Sequence, residues 1–446
     1  MSRPRQLVIA VALAVVLLVA GAVGIARFSN ESDVSIEANS PVVAPADVSS
    51  AAGPPADTLD GLIEQLQTRL EVVPNDHVAW STLGIAYVQQ ARVTADPSLY
   101  PRAEGALDES LMVEPDDNFL ALAGLSSLAS ARHDFVLAED YAERGLEINE
   151  FSAILWGALS DAQVQLGEYD AAAASVERML GLSPDASSYS RSSYLAQLNG
   201  QTDLAISQMR QALQQAGTPT DRAFALTVLG EIEFNRGQPG PALDLYNEAR
   251  AQAPQDTTAL AGKARSEAAL GQIQTALDSY AALVEQAPEP SYLIAYGELL
   301  ESVGRTAEAD AQYEVVGAVQ TLFEANGVES DASPVLFLAD HDEPERALAE
   351  AERAIAVRPF LAMHDAHAWA LHRNGRDDEA LVAIGKALEL DTPDALFLFH
   401  SGEIKRALGD LDGARADLER ALEINPFFDP LDVPIAEASL AELTGS

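Results

Sequence analysis

The chain has no cysteine, only three lysines (Lys263, Lys386 and Lys405) and only three tryptophans, and its 69 acidic residues outnumber 27 basic ones for a formal net charge of −42. The missing cysteines exclude disulfide staples, thiol redox chemistry and Cys-based metal sites together. The shortage of cations excludes nucleic acid as a partner, because phosphate backbones are bound by the opposite field. Anionic lipid headgroups are disfavoured for the same reason. Catalytic signatures are lacking too: no Gly-rich phosphate loop follows a strand, and neither His-Glu-x-x-His nor Gly-x-Ser-x-Gly is found in its working context. No enzymatic activity and no cofactor are expected. The acidity has two readings, solubility in a saline setting or an acidic groove that selects a basic segment.

One long apolar run is present. Leu7 to Ala26 is twenty residues without a charge, preceded by Arg3 and Arg5. That length suffices for a helix to cross the hydrocarbon core. The cations in front, and acids from Glu31 onward, predict a cytoplasmic N-terminus and repeats outside the membrane. The alternative is a cleaved signal peptide ending at Gly24-Ile25-Ala26, which exports the rest of the chain as well. Ser29 to Asp57 is rich in Ser, Pro, Ala and acids without helical periodicity, and reads as a flexible tether.

The remainder is repetitive. Trp80-Ser81-Thr82-Leu83-Gly84-Ile85-Ala86-Tyr87 fits W-x2-L-G-x2-Y residue for residue, and Ala103, Leu107 and Pro115 continue the pattern. Further copies recur at close to 34 residues. One holds Gly167, Tyr169, Ala172 and Pro184; another Leu229-Gly230, Gly237, Ala242, Tyr246 and Pro254; others start from Gly271, from Tyr296-Gly297, from Gly375 and from Gly402. Small residues at fixed positions let two helices approach closely, and proline ends the second helix by withholding a donor. A single hairpin cannot bury its apolar stripe, so neighbours must stack.

On these residues the chain resembles the tetratricopeptide repeat (TPR) superfamily over 58–426, and its last repeats resemble uncharacterised bacterial membrane-anchored TPR proteins. The resemblance implies an all-α fold, a right-handed α-solenoid of about ten TPR helical hairpins, here preceded by one N-terminal transmembrane helix. The expected organisation is a cytoplasmic N-terminus at 1–6, a transmembrane signal anchor at 7–26, a tether at 27–57, the solenoid at 58–426, and a capping helix and tail at 427–446. Val93 to Leu99 is expected to protrude as a loop, and Ala309 to Asn326 to form one extended helix. The implied role is a scaffold in the cytoplasmic membrane, single-pass with the repeats extracytoplasmic, that recruits protein or peptide segments into envelope complexes.

Positions 2, 5, 9 and 12 of each first helix line the concave wall of such a solenoid. They give Asp365, Trp369 and His372 in the penultimate repeat, and Phe399, Glu403 and Arg406 in the last. Phe224, Phe234 and Glu298 are the central candidates, with Glu231 and Glu301 beside them. Aromatic anchors beside carboxylates suit a partner segment carrying Arg or Lys. TPR domains that clamp acidic peptide tails use Lys and Asn at positions 5, 6 and 9, and no lysine here falls at position 5. The alternative function is metal handling by His364, His367, His372 and His400, since the first two share a helix face and neutral imidazoles beside a carboxylate can bind Zn or Ni.

Overall fold

The computed structural model describes residues 59–94, 96–325, 331–341 and 343–445. They form twenty-two α-helices and one 3-10 turn, in place of a simple count of about ten hairpins. Helices pair antiparallel along the chain. Pro219–Asn235 packs on Pro239–Gln252, Leu361–Arg373 on Asp377–Ala387, and Ala395–Leu408 on Leu411–Ile424. The pairing follows from the small residues. A Cβ on Gly230 would stand 2.8 Å from the Tyr246 ring and one on Gly262 only 2.2 Å from it, so one tyrosine fills the gap that two glycines of successive hairpins leave. Gly297 leaves the same room for Tyr313, and Gly402 for Leu418.

First helices of successive hairpins also pack on one another, as Phe119–Ala131 does on His77–Thr94 and Leu361–Arg373 on Ala332–Asp340. The second helices have no comparable mutual packing. The first-helix row is therefore the inner, shorter side of a curved array, and its free face is the concave wall.

The curvature brings the chain back onto itself. Arg358 Nε donates to Gln165 Oε1 at 2.7 Å, Leu361 N donates to the Tyr169 hydroxyl at 2.9 Å, and Thr392 Oγ1 donates to Leu198 O at 2.5 Å, across separations of 193, 192 and 194 residues. Tight turns inside hairpins meet junctions between hairpins along this seam. A Cβ on Gly167 would lie 2.8 Å from Pro359 O, on Gly200 2.9 Å from Asp391 O, and on Gly237 3.0 Å from Ile424 O. One superhelical turn thus rests on the next. Arg358, 2% exposed, is the most connected side chain in the seam: it also donates to Asp331 Oδ1 at 3.2 Å and lies over Phe135 and Phe360.

Two expectations about local structure have different outcomes. The extended helix exists as Thr306–Ala325, and Val316 and Val319 in its added length join the cluster of Leu99, Tyr100 and Leu128 from the first turn. The expected protruding loop is instead packed. Pro97–Leu99 forms a 3-10 turn capped by Asp96, with Pro97 and Leu99 buried, because apolar residues there are covered by the helices around them.

The single-pass membrane placement is corrected. No helix among the described residues is long and apolar enough to cross a membrane. Even the longest, Thr306–Ala325, carries four acids and spends its apolar residues on neighbouring helices rather than on a continuous lipid-facing surface. The expected anchor at 7–26, with 1–6 and the tether at 27–57, lies outside the described residues.

Candidate functional site

Five of the singled-out residues, Asp365, Trp369, His372, Phe399 and His400, lie together in the C-terminal hairpins. Trp369 is held from several sides. Its indole Nε1 donates to Asp340 Oδ1 at 2.8 Å, and its ring stacks on His400 at 4.2 Å and on His372 at 5.0 Å. His400 Nδ1 donates to Asp365 Oδ1 at 2.8 Å, with both residues 1% exposed. Burial alone lowers the His400 pKa, but the Asp365 carboxylate outweighs it and the net shift is upward. Phe399 is fully buried against Trp369 and Phe428. Asp365, Trp369 and Phe399 therefore build the wall from behind, and their side chains are not free to contact a partner directly.

Beside them is a set of half-buried carboxylates that feel one another's charge. Glu298 comes from Pro290–Ser302, Asp340 ends Ala332–Asp340, and Asp429 and Asp432 arrive with Asp432–Thr444 and the turn before it. Burial, then the Asp429, Asp432 and Asp340 charges, push the Glu298 carboxyl well above the usual carboxylate range. Burial followed by Asp429 raises Asp432 to about 8. Asp429 is raised too, chiefly by burial. Arg373 Nη1, 3.2 Å from Asp340 Oδ1, is the cation paired within this set. Glu301 extends it, accepting from the Tyr313 hydroxyl at 3.1 Å. Like charges from three parts of the chain thus meet with little compensation, and the favourable response is protonation or a cation from outside.

The other expected contact residues separate. Glu403 is buried and pairs with Arg406 at 2.7 Å, and Arg406 reaches Glu442 at 3.8 Å. Phe234 is buried in a cluster with Ala242 and Tyr246, under the Arg265 guanidinium at 4.1 Å. Phe224 is half-buried and lines a small depression with Ala186, Ser190 and Asp221.

The four histidines do not converge. His372 Nδ1 sits 2.6 Å from Asp377 Oδ1, whereas His400 serves Asp365. Burial, then Lys386 and His367, lower His364 to about 4, and burial lowers His367. Among the described residues no group of three or more His, Cys, Asp or Glu side chains is placed to hold a metal ion.

Asp340, Asp429, Asp432 and Arg373 were not legible as wall residues. Asp429 and Asp432 belong to the C-terminal segment read only as a cap, and Asp340 lies in a degenerate repeat without the small-residue signature.

Tetratricopeptide repeat family profiles match residues 153–185 and 366–427. No curated protein sequence matches at a significant level. Among solved structures the chain is similar to one in the APC/C hetero-tetramer Cut9–Hcn1, at 16% identity over 86% of this chain and 82% of that one, with a TM-score of 0.43. It is also similar to human IFIT1, at 12% identity over 82% and 90% with a TM-score of 0.44, and to PilF of Pseudomonas aeruginosa, at 14% identity over 48% and 92% with a TM-score of 0.35. Likeness of that degree says nothing about activity. The profile matches thus identify tetratricopeptide repeats at 153–185 and 366–427, and the hairpins around them stack with Gly-against-Tyr packing.

Proposed function

We propose that the chain is a protein-interaction scaffold that holds a partner segment along its concave wall, with a cationic side chain of that segment facing Glu298, Asp340, Asp429 and Asp432. The observation that carries this reading is the meeting of carboxylates from three parts of the chain around one paired arginine. An Arg or Lys supplied by a partner relieves their repulsion, and its guanidinium or ammonium hydrogen-bonds several of them at once. Asp365, Trp369, His372 and Phe399 position the wall behind the carboxylates. Arg406, Glu403, Phe224 and Phe234 lie away from this set and contribute to packing or to its margins.

The test is fluorescence anisotropy with matched peptides, one arginine-rich and one with glutamine in place of arginine. The arginine peptide is expected to bind at least about tenfold tighter, with affinity falling as salt rises. Glu298→Gln with Asp432→Asn should remove that preference while helical circular dichroism stays unchanged. Equal affinity for both peptides, or an unaltered preference in the double variant, rules the reading out.

A further inference from the structure

The seam joins two different edges of the coil, and each kind of edge is also left open elsewhere. One edge consists of tight turns inside hairpins. At Gly167, Gly200 and Gly237 these turns are covered, each glycine lying about 3 Å from a backbone carbonyl of a later hairpin junction. The turns at Gly271, Gly304, Gly375 and Gly409 have the same positive φ, 69° to 83°, yet a Cβ on any of them would meet nothing within 4 Å. The second edge consists of the junctions. Those at Pro359, Asp391 and Ile424 are covered by the seam. Those of the first superhelical turn expose residues 73–75, 115–117 and 150–151.

Both open edges are apolar. Leu270, Val303, Leu408 and Leu411 adjoin the open glycine turns and are 37% to 54% exposed. Val72, Val73, Val78, Met112, Phe151 and Ile154 adjoin the open junctions and are 44% to 75% exposed. Where the seam covers the same kinds of edge, Phe135 is buried to 1% and Leu361 to 3% exposure, while Leu204 and Val357 at its margin stay 44% and 46% exposed. Large apolar side chains repeated along two free edges mark an interaction surface. The seam shows what fits each of them: the other edge of the same fold.

We propose that a second copy of this chain covers them, its first-turn junction edge seated on the glycine-turn edge of its neighbour, so that the contact between copies repeats the contact between superhelical turns. The two edges differ, so the contact is heterologous and propagates head to tail unless the rotation closes a ring. The net charge of −42 opposes it at low salt. Screening shortens that repulsion to a few ångströms near 1 M salt, where apolar contact prevails. This surface is independent of the concave wall and of any segment bound there.

Sedimentation velocity on the full chain, over a hundredfold range of protein concentration at about 0.1 M and about 1 M NaCl, tests the proposal. Association that rises with concentration at high salt is expected. Met112→Glu with Phe151→Glu, which spoils the junction edge, should weaken it at least tenfold, as should Val303→Glu with Leu411→Glu on the glycine-turn edge. All four sites are exposed, and circular dichroism should confirm unchanged helix content. An equimolar mixture of the two double variants should form dimers and nothing larger, because each retains the edge the other has lost. A wild type that stays monomeric at every concentration and salt overturns the proposal. So does association that neither double variant weakens, or a mixture that remains monomeric.

Discussion

At the scale of single residues, room and charge decide. Tyr246 is fully buried between Gly230 and Gly262. Gly262→Ala puts a methyl 2.2 Å from that ring, so that the packing must shift, and is expected to cost about 1–3 kcal/mol in chemical denaturation. Gly181→Ala is the converse. It lies within Tyr169–Leu182 with nothing within 4 Å of the added carbon, and should gain about 0.5–1 kcal/mol by restricting the unfolded chain. The carboxylates supply a pH dependence. Glu298 and Asp432 hold their protons to higher pH when folded than when unfolded, so the native state binds more protons and stability falls as pH rises. His400 acts in the same direction. Its contribution is complete below the unfolded imidazole value of about 6.5 and is lost as pH rises through its raised folded value. Tm is expected to fall between pH 5 and about 8.5, and Asp432→Asn to flatten that fall, as scanning calorimetry across the range would show.

At the scale of elements, helix ends carry the detail that repeats do not share. Asn118 caps Phe119–Ala131 by accepting from Ala121 N at 3.1 Å, while its amide donates to Ser110 O at 3.1 Å and to Ser110 Oγ at 2.8 Å. It is 2% exposed, so Asn118→Ala removes a cap and also strands buried partners on the preceding hairpin. A loss of about 2 kcal/mol is expected, against about 1 kcal/mol for Asp134→Ala, where an exposed cap on Phe135–Ile148 is removed alone. Thermal melts of the two variants side by side check the difference. The cap residues stand plainly in the sequence, but the buried partners of Asn118 come from the previous repeat.

At the scale of the whole molecule, the seam sets this chain apart from a simple stack. In a one-dimensional repeat array each unit touches only its neighbours. Here Arg358 ties hairpins about 190 residues apart, together with the Leu361–Tyr169 and Thr392–Leu198 bonds. Arg358→Met combined with Gly200→Asn keeps a residue that tolerates positive φ while crowding the seam. The pair should leave the far-ultraviolet circular dichroism intact and enlarge the radius of gyration in small-angle scattering. Unfolding of the 119–240 and 331–426 regions should then lose its coupling, which hydrogen exchange would resolve as separate protection levels.

The hairpin is legible in the sequence because its rules are local. Gly84, Ala103, Tyr246 and the closing prolines act on partners within about 34 residues, and that period is written in the order of the letters. Position within the repeat also picked out Asp365, Trp369, His372 and Glu298 as candidates for the wall, since that position sets which way a side chain faces. Long-range packing seals Asp365, Trp369 and Phe399, brings Glu298 within the influence of the Asp429 and Asp432 charges, and gives Gly167 a later carbonyl while Gly271 has none. Each of those outcomes depends on a small rotation from hairpin to hairpin, summed over most of a superhelical turn. No single repeat contains that sum.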